Sequence, residues 1–288
     1  MKKLKILFLL LFTILLGSCK KDWLDYSPID MYSAEIDYDD TNAPKHLNVA
    51  AVSIEPAKDD KQASLNTMKT MVEKIKSEHA DIQVIVFGEL ITGWYYDESS
   101  KELYQRQLAE TIDGESVTFV KTLAKENDVT IVFGFAEIDS ETDNIFNSQV
   151  LIRPDGEIIK YRKRNLNELD KENKFTAGDE LVVTDVYGVR AALFVCSDMQ
   201  SDKITKEIAD AKVDVILHSI TSTTDLNAQI SYVGMQMNTW IIFANRFGTE
   251  GDFEYSGFCQ IINPAGTVSS REIGKNSYTF RKIGIFNK

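Results

Sequence analysis

The chain has 288 residues, of which 43% are hydrophobic and 26% are charged, and its formal net charge at pH 7 is −12. This length and apolar content suffice for one sizeable hydrophobic core and no more. The acidic balance gives no electrostatic attraction to nucleic acid, and no basic cluster is interleaved with aromatic residues, so we expect no nucleic-acid partner.

The first 18 residues have the pattern of a secretory signal. Lys2, Lys3 and Lys5 give a basic start, residues 6–16 are almost wholly apolar, and small residues precede Cys19. The apolar run is too short for a good membrane-spanning helix. Removal of this segment would take away three lysines and no acids, which changes the net charge from −12 to −15.

Residues 16–19 resemble the lipobox of bacterial lipoproteins. The resemblance implies that Cys19 becomes the mature N-terminus and carries lipid, so we expect a cell-envelope lipoprotein that is anchored to a membrane and does not span it. The sequence leaves open whether the protein faces the periplasm or the cell surface. Residues 19–45 are acidic and aperiodic and are predicted to be a tether, although aromatics such as Tyr38 have the option of docking on the folded body.

From residue 47 the pattern alternates between strands and helices. Strands are predicted over 47–54, 82–87, 129–138, 145–152, 157–163, 181–186, 189–196, 213–219, 240–245, 257–263 and 280–286. Helices are predicted over 64–78, over a segment around 117–124 that Ser116 caps, over 203–211 and over 226–237.

About a dozen strands and four helices therefore fall in residues 46–288, with no linker and no repeat of fixed period. A single doubly wound sheet would need more helices than these. We therefore predict one α/β domain, layered in the α+β manner, in which two sheets face each other and the helices lie outside.

Three ionisable residues lie at the ends of apolar strands: Glu89, Lys163 and Cys196. A carboxylate can take the thiol proton, the thiolate can attack a carbonyl carbon, and an ammonium can stabilise the oxyanion that develops. Each residue alone is weak evidence, because a charge at a strand end usually meets solvent and a free cysteine is usually buried by packing.

The segments around these residues resemble motifs of the nitrilase superfamily, the carbon–nitrogen hydrolases. Residues 84–94 resemble the family's first-glutamate motif, 156–166 its lysine motif and 193–198 its cysteine motif. Segments 175–179, 244–246 and 262–266 add flanking matches. The matches follow the family order across residues 47–288.

The resemblance implies a four-layer α-β-β-α sandwich of two mixed sheets and hydrolysis of a non-peptide C–N bond, usually that of an amide. It implies that Glu89 is the general base, that Lys163 stabilises the tetrahedral intermediate and that Cys196 forms a thioester. The backbone N–H of Ser197 would complete the oxyanion site. No cofactor is implied, and no metal-binding cluster or phosphate-binding loop occurs in the sequence.

Many members of the family have a second glutamate. By its distance from Phe175, Glu172 fits this role best, with Glu168 as runner-up, and an ordinary solvated glutamate remains the alternative. The resemblance also implies a possible homodimer through the helix at 203–211.

Several positions depart from the family pattern. Gly88 replaces a proline, Asn165 replaces a frequent histidine, segment 197–203 is altered, and 218–221 replaces Pro-Ser-Ala-Trp. The changed residues would line the acyl pocket, so the sequence does not name the small amide substrate.

Two other functions remain open. If an amine and not water resolves the thioester, the protein is a thioester-using N-acyltransferase. If the catalytic residues no longer act, the protein is a nitrilase-like binding or scaffold lipoprotein. Cys196 and Cys259 are expected to be free thiols, with a packing role for Cys259 and for His218.

Overall fold

The computed structural model describes residues 38–99, 103–223, 234 and 237–286. The predicted signal at 1–18, Cys19, the tether up to residue 37 and most of the predicted helix at 226–237 lie outside the described residues. Within the described part of the chain, no helix has the length and apolar character needed to cross a membrane.

Fourteen strands and five α-helices are described. The strands are β1 (Lys45–Ser53), β2 (Val84–Val86), β3 (Thr130–Ile138), β4 (Ile145–Ile152), β5 (Ile158–Arg162), β6 (Val183–Val186), β7 (Val189–Val195), β8 (Val215–Ser219), β9 (Trp240–Ala244), β10 (Phe247–Glu250), β11 (Phe253–Ser256), β12 (Cys259–Ile262), β13 (Val268–Glu272) and β14 (Ser277–Ile285). The helices are α1 (Lys61–Glu78), α2 (Tyr104–Leu108), α3 (Glu115–Asn127), α4 (Glu168–Glu172) and α5 (Asp202–Asp210).

The strands form two six-stranded mixed sheets and a hairpin of β10 and β11. The first sheet has the order β14-β1-β2-β3-β4-β5 and the second the order β13-β12-β9-β8-β7-β6. Strands β1, β2 and β3 run parallel, as do β7, β8 and β9. Because parallel neighbours need a long crossover, α1, α3 and α5 fall between consecutive parallel strands.

The alternation of side chains along β1 shows how the layers are made. Val49 and Ala51 belong to the apolar core between the two sheets, whereas Ala50 and Val52 pack in a second core that also contains residues of α1 and α3. Successive side chains of a strand point to opposite faces, so a strand that is apolar at every position is buried on both.

Helix α5 covers the other sheet. Its buried residues Ile204 and Ile208 belong to an apolar cluster with β7, β8 and β9. The layers are therefore helices, sheet, sheet and helix, and the predicted α-β-β-α sandwich is confirmed.

Some local predictions are wrong. Helix α3 begins after Gly114, not at a Ser116 cap, because Ser116 lies in the first turn and is buried. The carboxylate of Glu110 accepts the Ser116 N–H at 2.9 Å and takes the capping role from outside the helix. The short elements α2, α4, β10, β11 and β13 were not predicted, because none sustains a hydrophobic period.

The end of the predicted tether packs on the folded body. Asp40 accepts the backbone N–H of Gly284 at 2.7 Å and pairs with Arg281 at 3.1 Å. The Tyr38 ring meets Trp240 edge-on at 5.3 Å. Tyr38 therefore packs against the folded domain, which the sequence had left open.

Candidate active site

Glu89, Lys163 and Cys196 follow the ends of three core strands. Glu89 and Lys163 come after β2 and β5 of the first sheet, whereas Cys196 comes directly after β7 of the second. The side chains of Glu89 and Lys163 are fully buried, and Cys196 is partly exposed. The site is thus assembled across the two sheets.

Close backbone packing holds Glu89 in place. A Cβ on Gly134 of β3 would lie 2.8 Å from the Glu89 Cα, so only glycine lets this loop approach the strand. Gly88 stands where the family has proline, and a Cβ there would lie 3.2 Å from the Ile220 carbonyl oxygen. Gly88 and segment 218–221, which both differ from the family pattern, thus lie in close contact with each other.

A buried ion network connects Glu89 to Lys163. The Lys163 Nζ lies 2.7 Å from Glu89 Oε1 and 2.6 Å from Asp170 Oδ2. The Asn147 amide donates to Glu89 Oε1 at 2.7 Å and to Asp170 Oδ1 at 3.0 Å. Both donors engage Oε1, and Glu89 Oε2 is buried without a hydrogen-bond partner among the described residues. That oxygen is therefore free to accept a proton.

The second carboxylate is Asp170, and the sequence reasoning missed it. Glu172 and Glu168 are both exposed, and both line an open cleft of about 770 Å³ on the surface. Asp170 is fully buried because α4 turns that position inward, and residues two apart on a helix point to different sides. The expectation for Glu172, and for its runner-up Glu168, is corrected to Asp170.

A capping box fixes Asp170. The Asn167 side chain accepts the Asp170 N–H at 2.8 Å, and Asp170 Oδ2 accepts the Asn167 N–H at 2.9 Å. The Tyr95 hydroxyl also donates to Asp170 Oδ1, at 3.0 Å. The spacing Asn167-x-x-Asp170 is the sequence signal that would have located this residue.

Cys196 occupies a sharp turn. It begins a 3-10 turn over Cys196–Gln200 and has φ 44°, in the left-handed region that non-glycine residues rarely adopt. Its Sγ lies 3.8 Å from the Thr221 carbonyl oxygen. A strained turn at the end of a strand presents the thiol instead of burying it in the sheet.

The turn after Cys196 is hydrogen-bonded to the loop that follows Lys163. The Ser197 hydroxyl donates to the Asn165 carbonyl at 2.5 Å, and the Asn165 amide donates to the Ser197 carbonyl at 2.6 Å. The Asp198 carboxylate accepts the backbone N–H of Asn165 at 2.7 Å and the Tyr161 hydroxyl at 2.8 Å. Burial raises the pKa of Asp198 to about 6. Asp198 of the altered segment 197–203 and Asn165 of the loop after Lys163 thus keep Cys196 and Lys163 together.

Burial and charge set the protonation of the site. Burial by itself would lower the pKa of the Lys163 ammonium, but the neighbouring Glu89 carboxylate, and to a smaller extent Asp170, hold that pKa well above its usual value. Burial, and then the Glu89 charge, raise the pKa of the Cys196 thiol well above its usual value, with Lys163 opposing them. The resting site therefore holds a thiol and an ammonium.

His218 is packed beneath the turn. Its ring lies between Phe194 and Phe243, and its Nε2 is 3.3 Å from the Cys196 carbonyl oxygen. Burial lowers the pKa of His218 to about 3, so the ring is neutral. The packing role expected from the sequence agrees with this environment.

Cys259 lies in the apolar core between the sheets. It has no exposed surface, and burial raises the pKa of its thiol to about 12. Its expected packing role holds. Among the residues that the structure describes, no group of three or more His, Cys, Asp or Glu side chains has the arrangement of a metal site.

Known proteins share both the sequence pattern and the fold. The model of the carbon-nitrogen hydrolase family matches residues 48–278. A nitrilase of Pyrococcus abyssi is 26% identical over 242 residues, which cover 83% of this chain and 88% of that protein. An (R)-stereoselective amidase of Pseudomonas sp. is 25% identical over 167 residues, which cover 56% of this chain and 60% of that protein.

A solved structure of similar fold is that of a mutant of the amidase from Nesterenkonia sp. AN1, which shows covalent addition of the acetamide moiety of fluoroacetamide at the active-site cysteine. It superposes with a TM-score of 0.73 at 17% identity and covers 84% of this chain and 92% of that chain.

Proposed function

We propose, from the premise that this chain belongs to the carbon–nitrogen hydrolase family, that it hydrolyses a small linear amide through a cysteine thioester. The products would be a carboxylic acid and ammonia or an amine. The chain is a carbon–nitrogen hydrolase; the amide substrate and the roles of individual residues are our proposal.

One observation carries the proposal. Glu89 has one carboxylate oxygen held by Lys163 and Asn147, while the other is buried without a partner among the described residues. A carboxylate arranged in this way is a ready proton acceptor, since a free lone pair in a dry site has no competing donor.

The first half of the reaction follows from the protonation of the site. As the Cys196 Sγ attacks the amide carbonyl carbon, its proton passes to Glu89 and a C–S bond forms. The oxyanion of the tetrahedral intermediate is stabilised by the Lys163 ammonium and by the Ser197 backbone N–H, which belongs to the first residues of a helical turn. Glu89 then returns the proton to the departing nitrogen as the C–N bond breaks.

The second half resolves the thioester. Glu89 takes a proton from a water molecule, whose oxygen attacks the thioester carbonyl, and the proton returns to the sulfur as the acid leaves. Lys163 remains charged throughout, because its neighbouring carboxylates hold its pKa well above its usual value.

We also propose that the protein is exported and anchored through lipid on Cys19. Support comes from the basic start, the apolar run at 6–16 and the lipobox-like 16–19. An enzyme on the cell envelope would meet amides that enter from outside the cell.

Mass spectrometry of the intact protein tests the chemistry. The protein is mixed with a panel of small amides, and we expect an acyl adduct on the wild type that is absent from Cys196→Ala, together with release of acid. Addition of hydroxylamine should divert the adduct to a hydroxamate, and faster turnover with an amine than with water would identify an acyltransferase. An adduct-free wild type whose activity survives Cys196→Ala would refute the mechanism.

A further inference from the structure

A fully buried glutamine crosses the apolar layer between the two sheets. Gln149, on β4 of the first sheet, donates from Nε2 to the Leu217 carbonyl at 3.0 Å and to the Ser219 hydroxyl at 2.7 Å. Its Oε1 accepts the backbone N–H of Phe194 at 2.9 Å. All three partners belong to β7 or β8 of the second sheet.

Ser219 continues the connection back to the first sheet. Its hydroxyl donates to the Phe87 carbonyl, at the end of β2, at 2.7 Å. Gln149 and Ser219 are both fully buried. Together they form an inter-sheet polar bridge of Gln149, Ser219 and the backbone groups of Phe87, Phe194 and Leu217.

This bridge lies in surroundings where polar groups are costly. Val86, Leu151, Leu193 and Leu217 belong to the apolar cluster that fills the space between the sheets. A buried amide without partners costs free energy of folding there. The Gln149 amide meets that cost by using both of its N–H groups and its oxygen.

The bridge ends next to the reacting residues. Phe194 precedes Cys196 by two positions, and Phe87 precedes Glu89 by two. On β4, Gln149 follows Asn147, whose amide holds Glu89 and Asp170, by two positions. Alternate residues of a strand share a face, so one face of β4 contacts both the base and the strand that carries the nucleophile.

The site needs such a connection because its parts belong to different sheets. Apolar packing between sheets is non-directional, and cores tolerate rearrangement before they lose stability. A misplacement of about 1 Å can lower a rate by about 100-fold. Hydrogen bonds at 2.7–3.0 Å fix distance and direction where apolar contacts do not.

We propose that Gln149 and Ser219 are positioning residues, which set the place of Cys196 relative to Glu89 and Lys163. The proposal rests on the proposed thioester chemistry. Neither side chain touches the reacting atoms; each acts through the backbone of the strands that end at Glu89 and Cys196.

The decisive variant is Gln149→Met, which keeps the length of the side chain and removes its hydrogen bonds. The matched control is Leu151→Val, a core change on the same face of the same strand. Turnover of an amide substrate, thermal stability and the rate of Cys196 alkylation by iodoacetamide are measured for each. The alkylation rate is followed from pH 6 to 10 by mass spectrometry, and it needs no substrate.

We expect Gln149→Met to lower kcat by about 10- to 100-fold with KM changed by less than about threefold. The pH profile of Cys196 alkylation should also shift, because the distances from the thiol to Glu89 and Lys163 change. Leu151→Val should lose thermal stability but keep the wild-type kcat and the wild-type pH profile of Cys196 alkylation. Ser219→Ala, a smaller change, should give the same pattern more weakly, and the double variant should show non-additive losses in kcat.

The outcomes separate the two proposals. A Gln149→Met protein with wild-type kcat and wild-type alkylation would overturn the positioning role, even if its stability falls. If Gln149→Met does not fold, Ser219→Ala decides in the same way. A wild type that forms no acyl adduct on Cys196 with any amide of the panel would overturn the proposed function, and with it the bridge as a device of the site.

Discussion

At the scale of single residues, the proposed chemistry depends on a lysine buried between two carboxylates. Lys163 contacts Glu89 and Asp170 and has no exposed surface. Removal of an ammonium from water is costly unless paired charges and hydrogen bonds replace the solvent. After burial, the Glu89 charge is the largest reason why the pKa of the Cys196 thiol is raised, and Asp170 adds to it.

Asp170→Asn tests the role of the second acid. We expect kcat/KM to fall by roughly 10- to 100-fold, because Lys163 loses one of the two groups that hold it in place. The exposed neighbour offers the matched control, since Glu172→Gln removes the same charge two residues away and should change kcat/KM by less than about twofold. Steady-state kinetics with a reactive amide gives both values. A loss confined to Glu172→Gln would show that the sequence-based choice was right, and equal losses in the two variants would show that Asp170 has no special role.

His218 makes stability depend on pH. Its pKa is about 3 in the folded protein, against an ordinary histidine value of 6.5, because burial disfavours the charged ring. The unfolded chain therefore binds a proton that the folded protein does not, and stability is lost progressively as pH falls from 6.5 towards 3. At pH 5 this loss is about 2 kcal/mol, from about 1.4 kcal/mol per pKa unit.

His218→Gln should remove that part of the pH dependence. Urea unfolding at pH 8 and pH 5 gives the free energy of unfolding at each, and the decrease between them should be about 2 kcal/mol smaller in the variant than in the wild type. An unchanged decrease would mean that His218 is protonated in the folded protein.

At the scale of elements, a buried ion pair fixes the loop that follows Glu89. Arg246, directly before β10, pairs at 3.1 Å with Glu250, the last residue of β10, and both are almost completely buried. The Arg246 guanidinium donates to the Leu90 carbonyl at 3.2 Å, and Glu250 Oε2 accepts the Tyr95 N–H at 2.7 Å. Tyr95 in turn donates to Asp170, so the unpredicted hairpin of β10 and β11 supports the carboxylate network.

Arg246→Met should destabilise the fold strongly, by about 3–5 kcal/mol, because it leaves Glu250 buried without its partner. Lys206→Met is the control. It breaks an exposed pair with Asp210 at the same spacing of four residues and should cost less than about 0.5 kcal/mol. Chemical denaturation of the two variants measures the difference. If both variants lose a similar, small free energy of unfolding, water reaches the Arg246–Glu250 pair.

At the scale of the whole molecule, the active site depends on the packing of two sheets. Glu89 and Lys163 follow strands of the first sheet, and Cys196 follows a strand of the second. Neither sheet holds a complete site, so the enzyme requires the sandwich to be assembled. The inter-sheet polar bridge of Gln149 and Ser219 is our explanation of how this assembly is fixed.

The proposed lipid anchor is a property of the full chain. Expressed in a lipoprotein-processing host, the wild type should partition into the detergent phase of a Triton X-114 extract, with a mass that corresponds to a chain starting at Cys19 plus lipid. Cys19→Ser should move the protein to the aqueous phase, and Cys196→Ser, which keeps Cys19, should not. A wild-type protein that still carries residues 1–18 and is found in the aqueous phase would contradict the proposed anchor.

The sequence by itself determined the layers and the family, and it singled out the three residues that we propose to react. Hydrophobic periods are local, so β1, β3, β4 and α1 are predicted to within a few residues. The segments around Glu89, Lys163 and Cys196 carry a resemblance that the family match and the fold confirm.

Only the tertiary structure decided which neighbours complete the site. Asp170 and Glu172 are equivalent acids in a charged segment until α4 turns one inward and leaves the other exposed. Gln149 reads as an interruption of an apolar strand until its partners, 45 or more residues away in the chain, are placed around it. Local patterns report which side of an element is buried, but hydrogen bonds between distant segments depend on how the sheets meet, and that is fixed by packing of the whole chain.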